Sequence, residues 1–184
     1  IADGPQLLDS YRQHWQPARL VADIHQALFG SVGVLEAQPS NCILRTPAAY
    51  QQAKQTLNNW ALHEPSCPIK CWDLLIALSQ VVPGPVFDLG CMGSEALYNL
   101  QRLHHDGPHY GMDIDPGVPA AHLIHHPYPQ EHLHGDFLHT LFPDQHFANL
   151  ICLSVLEHGI DLAQFAQETS RLLRPGGRLT VSFD

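Results

Sequence analysis

From Pro83 onward, short apolar runs of strand character alternate with helical stretches, and this alternation restricts the fold more than any other feature of the chain. Val86 to Leu89 reads as a first strand, Glu95 to Leu103 as a helix and Tyr110 to Ile114 as a second strand. His132 to His134 reads as a brief third strand, Ala148 to Ser154 as the most strongly buried one and Leu179 to Phe183 as a fifth. Leu162, Phe165, Ala166, Thr169, Leu172 and Leu173 share one helical face before the fifth strand, and "RPGG" at 174–177 is expected to break that helix. Strand, helix and strand in repetition require right-handed crossovers. They predict an α/β fold, a mostly parallel sheet with helices on both faces. Ligands of such sheets gather beyond the carboxyl ends of the strands, so residues at those ends matter most.

Residues 1–80 read differently. Leu7, Leu8, Tyr11 and Trp15 fall on one helical face, and Leu20, Val21, Ile24, Ala27 and Leu28 repeat the stripe up to Gly30. Thr46 and Pro47 form an N-cap and first-turn pair for a helix through Tyr50, Ala53, Leu57 and Trp60, and another helix runs from about Trp72 to Val81. The expected organisation is a helical N-terminal extension over 1–80, a substrate cap if Tyr11, Trp15 and Trp60 face the crevice, and a core over 81–184. The chain starts at Ile1 rather than Met, and a fifth strand left as a bare edge invites pairing. Further C-terminal residues, a covering helix or a homo-oligomer through that edge are therefore expected.

Lys and Arg total 9 against 18 Asp and Glu, with no basic cluster beyond a scattering around Arg171, Arg174 and Arg178, which argues against a nucleic-acid partner. Five cysteines, odd in number and dispersed, suit a reducing cytoplasm. No apolar run reaches the roughly 20 residues that a membrane span needs, and a soluble, cytoplasmic protein is expected.

At the end of the first strand stands "FDLGCMGSEAL", residues 87–97. Gly90 lets a backbone be approached closely, and the next helix aims its first amides at the crevice. A dinucleotide fingerprint would need glycines at 90, 92 and 95, but the chain has Gly90, Met92 and Glu95. An acid two residues before the first glycine suits an ammonium-bearing ligand and repels a pyrophosphate. Taken singly, Asp88, Asp113 and Asp115 also fit loop capping and Asx turns.

Together with "YGMDIDP", "GDF", "LICLSVLEH" and "LLRPGGRLTVS", that loop resembles the ordered motifs of class I S-adenosylmethionine-dependent methyltransferases, with the type 11 group most similar. The resemblance covers residues 86–184 and none of the first 80. It implies a Rossmann-like sheet of strand order 3-2-1-4-5 and S-adenosyl-L-methionine as cofactor. It further implies that Asp88 with the Gly90 and Cys91 backbone holds the methionine portion, that Gly93 belongs to the same loop, and that Asp113 accepts the ribose hydroxyls. Ile114 would lie against the adenine, Asp136 and the Phe137 amide would read its edge, and Ser154 would line the floor below the sulfonium. Against the family's D-x-G-x-G-x-G loop, Met92 and Ser94 replace two glycines, and Ser94 is free to cap the next helix.

The implied reaction is methyl transfer to an O, N or C nucleophile of a small molecule, with His158 as general base and Glu157 beside it. The alternative is a catalytically inactive methyltransferase-like binding or interaction module, favoured by Met92 and Ser94. Related O-methyltransferases place an acid three residues before such a Glu-His pair to bind a divalent metal; here that position is Ser154, a poor ligand for a hard cation, so no metal is expected. The histidines between His122 and His146, with "HLH" at 132, and "CPIKC" at 67–71 lack the spacing of a closed zinc site.

Overall fold

A computed structural model describes residues 46–92, 95–117 and 130–183. The helices expected before Gly30, with Tyr11 and Trp15, lie outside the described residues, as do Gly93, Ser94 and most of the stretch from Pro116 to Gln130.

Helix α1 spans Pro47–Asn59, and its Thr46 N-cap accepts from the Ala49 N–H as the Thr-Pro pair predicts. A 3-10 turn, Pro68–Lys70, leads into α2 at Cys71–Gln80. Strand β1 (Val86–Leu89) is followed by α3 (Glu95–Arg102), β2 (His109–Asp113) and β3 (Gln130–His134). Then come β4 (Phe147–Leu153), a 3-10 turn at Leu156–His158, α4 (Leu162–Leu172) and β5 (Leu173–Ser182). The five strands are all parallel, in the order β3-β2-β1-β4-β5. The order reverses between β1 and β4, and there the crevice of such a sheet opens.

The pleat divides the core. Val86 and Ile151 face α1, α2 and α3 through Ala53, Leu57, Leu75, Leu78, Leu97 and Leu100. Phe87, Leu89, Leu150 and Cys152 face the opposite way, onto Phe165 and Leu172 of α4. Helices thus cover both faces, which is why the strands read as near-continuous apolar runs. Trp60 packs partly buried against the first cluster.

One sequence expectation is corrected. "RPGG" does not end α4: the helix stops at Leu172, and Leu173 already pairs with Phe147. The next pair is Asn149 with Arg178, so residues 174–177 bulge out of the ladder within β5. Gly176 takes φ +78, and a Cβ at Gly177 would meet the Arg174 and Ala148 carbonyl oxygens at 2.9 and 3.0 Å. The motif re-aims the strand.

At the amino ends of the strands, the connection from α2 is fixed by polar groups. The Asn149 amide accepts from Val82 N at 2.8 Å and donates to Val82 O at 2.7 Å, substituting for a strand partner. His105 Nε2–H donates to the same carbonyl at 3.0 Å, which leaves its Nδ1 to accept from His109 Nε2–H at 3.1 Å. Burial first, and the neighbouring His105 second, push His109 down from 6.5 to about 4. The folded state therefore holds His109 neutral where the unfolded chain binds a proton. Stability is full above about pH 6.5 and declines as pH falls towards 4. Urea melts from pH 7 to 4.5 are expected to show a fall in midpoint that His109→Gln reduces.

Candidate cofactor site

The carboxyl ends of β1 and β2 are tied together by backbone. Gly90 N and Cys91 N both donate to Met112 O, at 2.9 and 3.1 Å. These amides therefore face β2, and what Gly90 and Cys91 can offer a ligand is carbonyl oxygen, an acceptor suited to an ammonium group. Gly90 sits at φ +73, and a Cβ there would come within 2.7 Å of Val155 Cγ2. The absent side chain makes room for Val155 of the chain itself, a requirement the sequence does not reveal.

Met92 adopts φ +36, the left-handed region that glycine normally occupies, while its side chain is 72% exposed. Its N–H donates to Asp113 Oδ2 at 2.9 Å. The other carboxylate oxygen, Oδ1, accepts from Asp115 N at 2.9 Å, and Asp115 Oδ1 accepts from Gly117 N at 2.8 Å. Asp113 and Asp115 both make Asx-turn bonds. Each Asp113 oxygen has a second lone-pair direction, so the carboxylate is oriented without being saturated. Ile114, next along, is 75% exposed. An apolar side chain beside a fixed carboxylate is a composition that suits a nucleoside: hydroxyls for the acid, a ring face for the isoleucine.

Asp88 lies lower, inside β1, and is buried at 5% exposure. Its charge bears on two thiols. Burial first and Asp88 second raise both, Cys152 to about 12 and Cys91 further, so neither is a thiolate nucleophile. Cys91 Sγ also lies 3.7 Å from His132 Nδ1.

Beyond β3, Gly135 N donates to Asp113 O at 2.9 Å, which brings the Asp136 corner next to the β2 tip. Asp136 Oδ1 accepts from Leu138 N at 2.9 Å, and Oδ2 lies 3.1 Å from His139 Nδ1. Phe137 is buried and meets Phe165 of α4 edge-on at 6.4 Å.

On the β4 side, Ser154 takes φ +56 and its N–H donates to Ser182 O at 2.9 Å. The Ser154 and Ser182 hydroxyl oxygens are both buried without a hydrogen-bond partner. Ser182 carries no signal in the sequence beyond lying within the fifth strand expected over Leu179 to Phe183. Glu157 and His158 lie in the following 3-10 turn with exposed side chains. Among the described residues, no three His, Cys, Asp or Glu side chains gather in a metal-holding group, and no helix is long and apolar enough to cross a membrane.

The backbone ties thus join the β1 loop, Asp113 and the Asp136 corner into one connected edge, while Ser154, Glu157 and His158 stand across the β1–β4 reversal. A profile of the methyltransferase domain family, the type 11 group, matches residues 87–181, just over half of the chain. The chain belongs to this family. No curated protein sequence matches it significantly. Among solved structures it is similar to the YcgJ protein of Bacillus subtilis, at 17% identity and a TM-score of 0.51, over 58% of this chain and 48% of that one. It is also similar to an S-adenosylmethionine-dependent methyltransferase from Mesorhizobium loti, at 20% identity and a TM-score of 0.52, over 62% and 52% of the two chains. A chain in the complex of the Haloferax volcanii Trm112 methyltransferase activator aligns at 23% identity and a TM-score of 0.55, over 69% and 58%. The chain spans about half the length of these structures, and at such identities the likeness is one of fold.

Proposed function

We propose that the chain binds S-adenosyl-L-methionine at the β1–β2–β3 edge and that the protein transfers its methyl group to an O, N or C nucleophile of a small molecule. The observation that carries this reading is Asp113: an acid at a strand tip, oriented by two backbone N–H groups and flanked by the exposed Ile114. The residues present fit the cofactor in parts. Asp113 accepts the ribose hydroxyls and Ile114 covers one adenine face; Asp136 takes the exocyclic amine and the Phe137 amide a ring nitrogen. Asp88 supplies negative charge beneath the methionine end, where the Gly90 and Cys91 carbonyls accept from the ammonium; Gly93 remains a member of that loop by family pattern alone. The cofactor, when bound, supplies an electrophilic methyl group on a cationic sulfur.

The chain's own part is placement. Holding donor and acceptor about 3 to 3.5 Å apart provides most of the rate in such a displacement. Ser154 lines the floor, and its unpartnered hydroxyl is an orphan that a bound polar atom would satisfy. His158 takes the proton from the acceptor nucleophile with Glu157 beside it. The soluble cytoplasm is the expected setting for this reaction.

Calorimetric titration with S-adenosylhomocysteine and, separately, with NAD tests the reading. Binding of the first alone is the expected result. Binding of NAD instead would overturn it, and heat from neither ligand would favour the alternative, a methyltransferase-like interaction module.

A further inference from the structure

The segment between β3 and β4, residues 135–146, carries the Asp136–Phe137 corner. Leu138 and Phe142 pack it on the core of the sheet, and α4 supplies the polar contacts of its outer half. Phe137 rests edge-on against Phe165, near the start of that helix. Six residues later, Arg171 spreads its guanidinium over the same segment. Nη1 donates to Phe142 O at 2.7 Å and to Asp144 Oδ1 at 2.8 Å; Nη2 donates to Thr140 Oγ1 at 3.2 Å and reaches Thr140 O at 3.3 Å.

Glu168 fixes the fork from below. Its Oε1 accepts from Arg171 Nη2 at 2.7 Å and its Oε2 from Nε at 2.9 Å, a bidentate pair on one helix face. Oε1 also accepts from Thr140 N at 3.0 Å and Thr140 Oγ1 at 2.8 Å. Finally, Gln145 N donates to Arg171 O at 2.8 Å. Phe142 seats one point of the gripped stretch on Phe87 and Phe147, whereas Leu141 beside it is fully exposed, so the backbone at Thr140 is set by these polar contacts. The Arg171 bond first, and the Thr140 donors after it, outweigh burial and keep Glu168 ionised down to about pH 2.

We infer that Glu168 and Arg171 are a positioning pair for the adenine end of the cofactor site: they anchor the outer half of the loop whose inner half presents Asp136 and the Phe137 amide. The inference rests on the cofactor reading above, and it adds that base discrimination depends on two side chains of α4 that touch no ligand. A guanidinium fork is required because four acceptors on one loop must be met in one plane, which a lysine ammonium cannot do.

The test compares wild type with Arg171→Lys and Thr140→Val, the second removing the hydroxyl contacts while leaving the Glu168–Arg171 pair intact. Each protein is titrated with S-adenosylhomocysteine and with its deaminated analogue, S-inosylhomocysteine, in which the exocyclic amine read by Asp136 is replaced by a carbonyl. Amide hydrogen exchange across 135–146 is followed in parallel. Wild type should prefer the amine by about tenfold or more, the loss expected when a hydrogen-bonding site meets a ligand lacking its partner. Arg171→Lys should bring that ratio close to one with little change in affinity for the inosine analogue, and speed exchange at residues 137–142 while the sheet stays protected. Thr140→Val should move both readouts the same way by less.

Retained discrimination in a folded Arg171→Lys protein, or an equal loss for both ligands, would overturn the inference. Wild type that binds neither nucleoside overturns the cofactor reading and the adenine role together, and the exchange comparison then shows separately whether the pair sets the corner.

Discussion

Gly107→Ala is expected to remove a large part of the stability of the domain. Gly107 lies at φ +128, and a Cβ built there would stand 2.5 Å from both the carbonyl carbon and oxygen of Gly84. Two penalties coincide. The backbone conformation itself costs a non-glycine residue about 1–3 kcal/mol. The contact adds about 1–3 kcal/mol more, because the obstacle is backbone and cannot rotate aside. A loss of about 2–6 kcal/mol from the 5–15 kcal/mol typical of a domain would shift a urea midpoint by about a molar or more, or leave the protein unfolded. Gly84 is itself held there by its N–H to Asp106 O at 2.9 Å, so the two glycines lock the β1 and β2 entries against each other. Gly159→Ala is the control: φ +84, but open space where the methyl would go. It should cost only the conformational part. Equal losses at 107 and 159 would show that the close approach to Gly84 contributes nothing.

The contrast between these glycines shows what the sequence could and could not disclose. Val86 to Leu89 was legible to the residue, because a buried parallel strand needs a continuous apolar run between turn signals, and "PGP" and "GC" supply them. The Thr46 cap was legible for a similar local reason. "RPGG" was misread as a helix stop followed by a turn. Local chemistry says turn, but only the pairing of Leu173 with Phe147 and Arg178 with Asn149 shows that the strand begins before the motif and resumes after it.

Non-local contacts were illegible throughout the site. That Gly90 accommodates Val155, that Asn149 completes the backbone of Val82, and that Arg171 grips residues 140 to 144 all join positions 27 or more apart in sequence. Nothing in a linear pattern marks them. The family motifs did place Asp113, Asp136 and the β1 loop along one edge, since each sits at the end of a strand whose order the resemblance fixed. They did not show that the Gly90 and Cys91 amides already bond to Met112, which transfers any ligand contact there from donors to carbonyl acceptors.

Asp113→Ala should abolish measurable binding of S-adenosylhomocysteine, whereas Met92→Gly should leave it within about threefold of wild type. For Asp113 the loss is double. The ribose loses its charged acceptor, and hydrogen bonds to charged groups contribute about 1.5–3 kcal/mol each, so two of them amount to a hundredfold or more in affinity. At the same time the Met92 N–H and the Asp115 N–H lose the oxygens that orient the loop. For Met92 the question is whether a glycine position that has become methionine is a damaged cradle or a preserved one. Its φ of +36 and its amide bond to Asp113 are those of a loop that has kept the glycine conformation, with the thioether turned outward at 72% exposure. If so, restoring glycine relieves backbone strain of about 1 kcal/mol, partly offset by the freer unfolded chain, and raises the melting temperature slightly without changing the bound state. A large gain in affinity on Met92→Gly would mean instead that the methionine obstructs the site, and that this chain has drifted from cofactor binding at the one loop on which the proposal most depends.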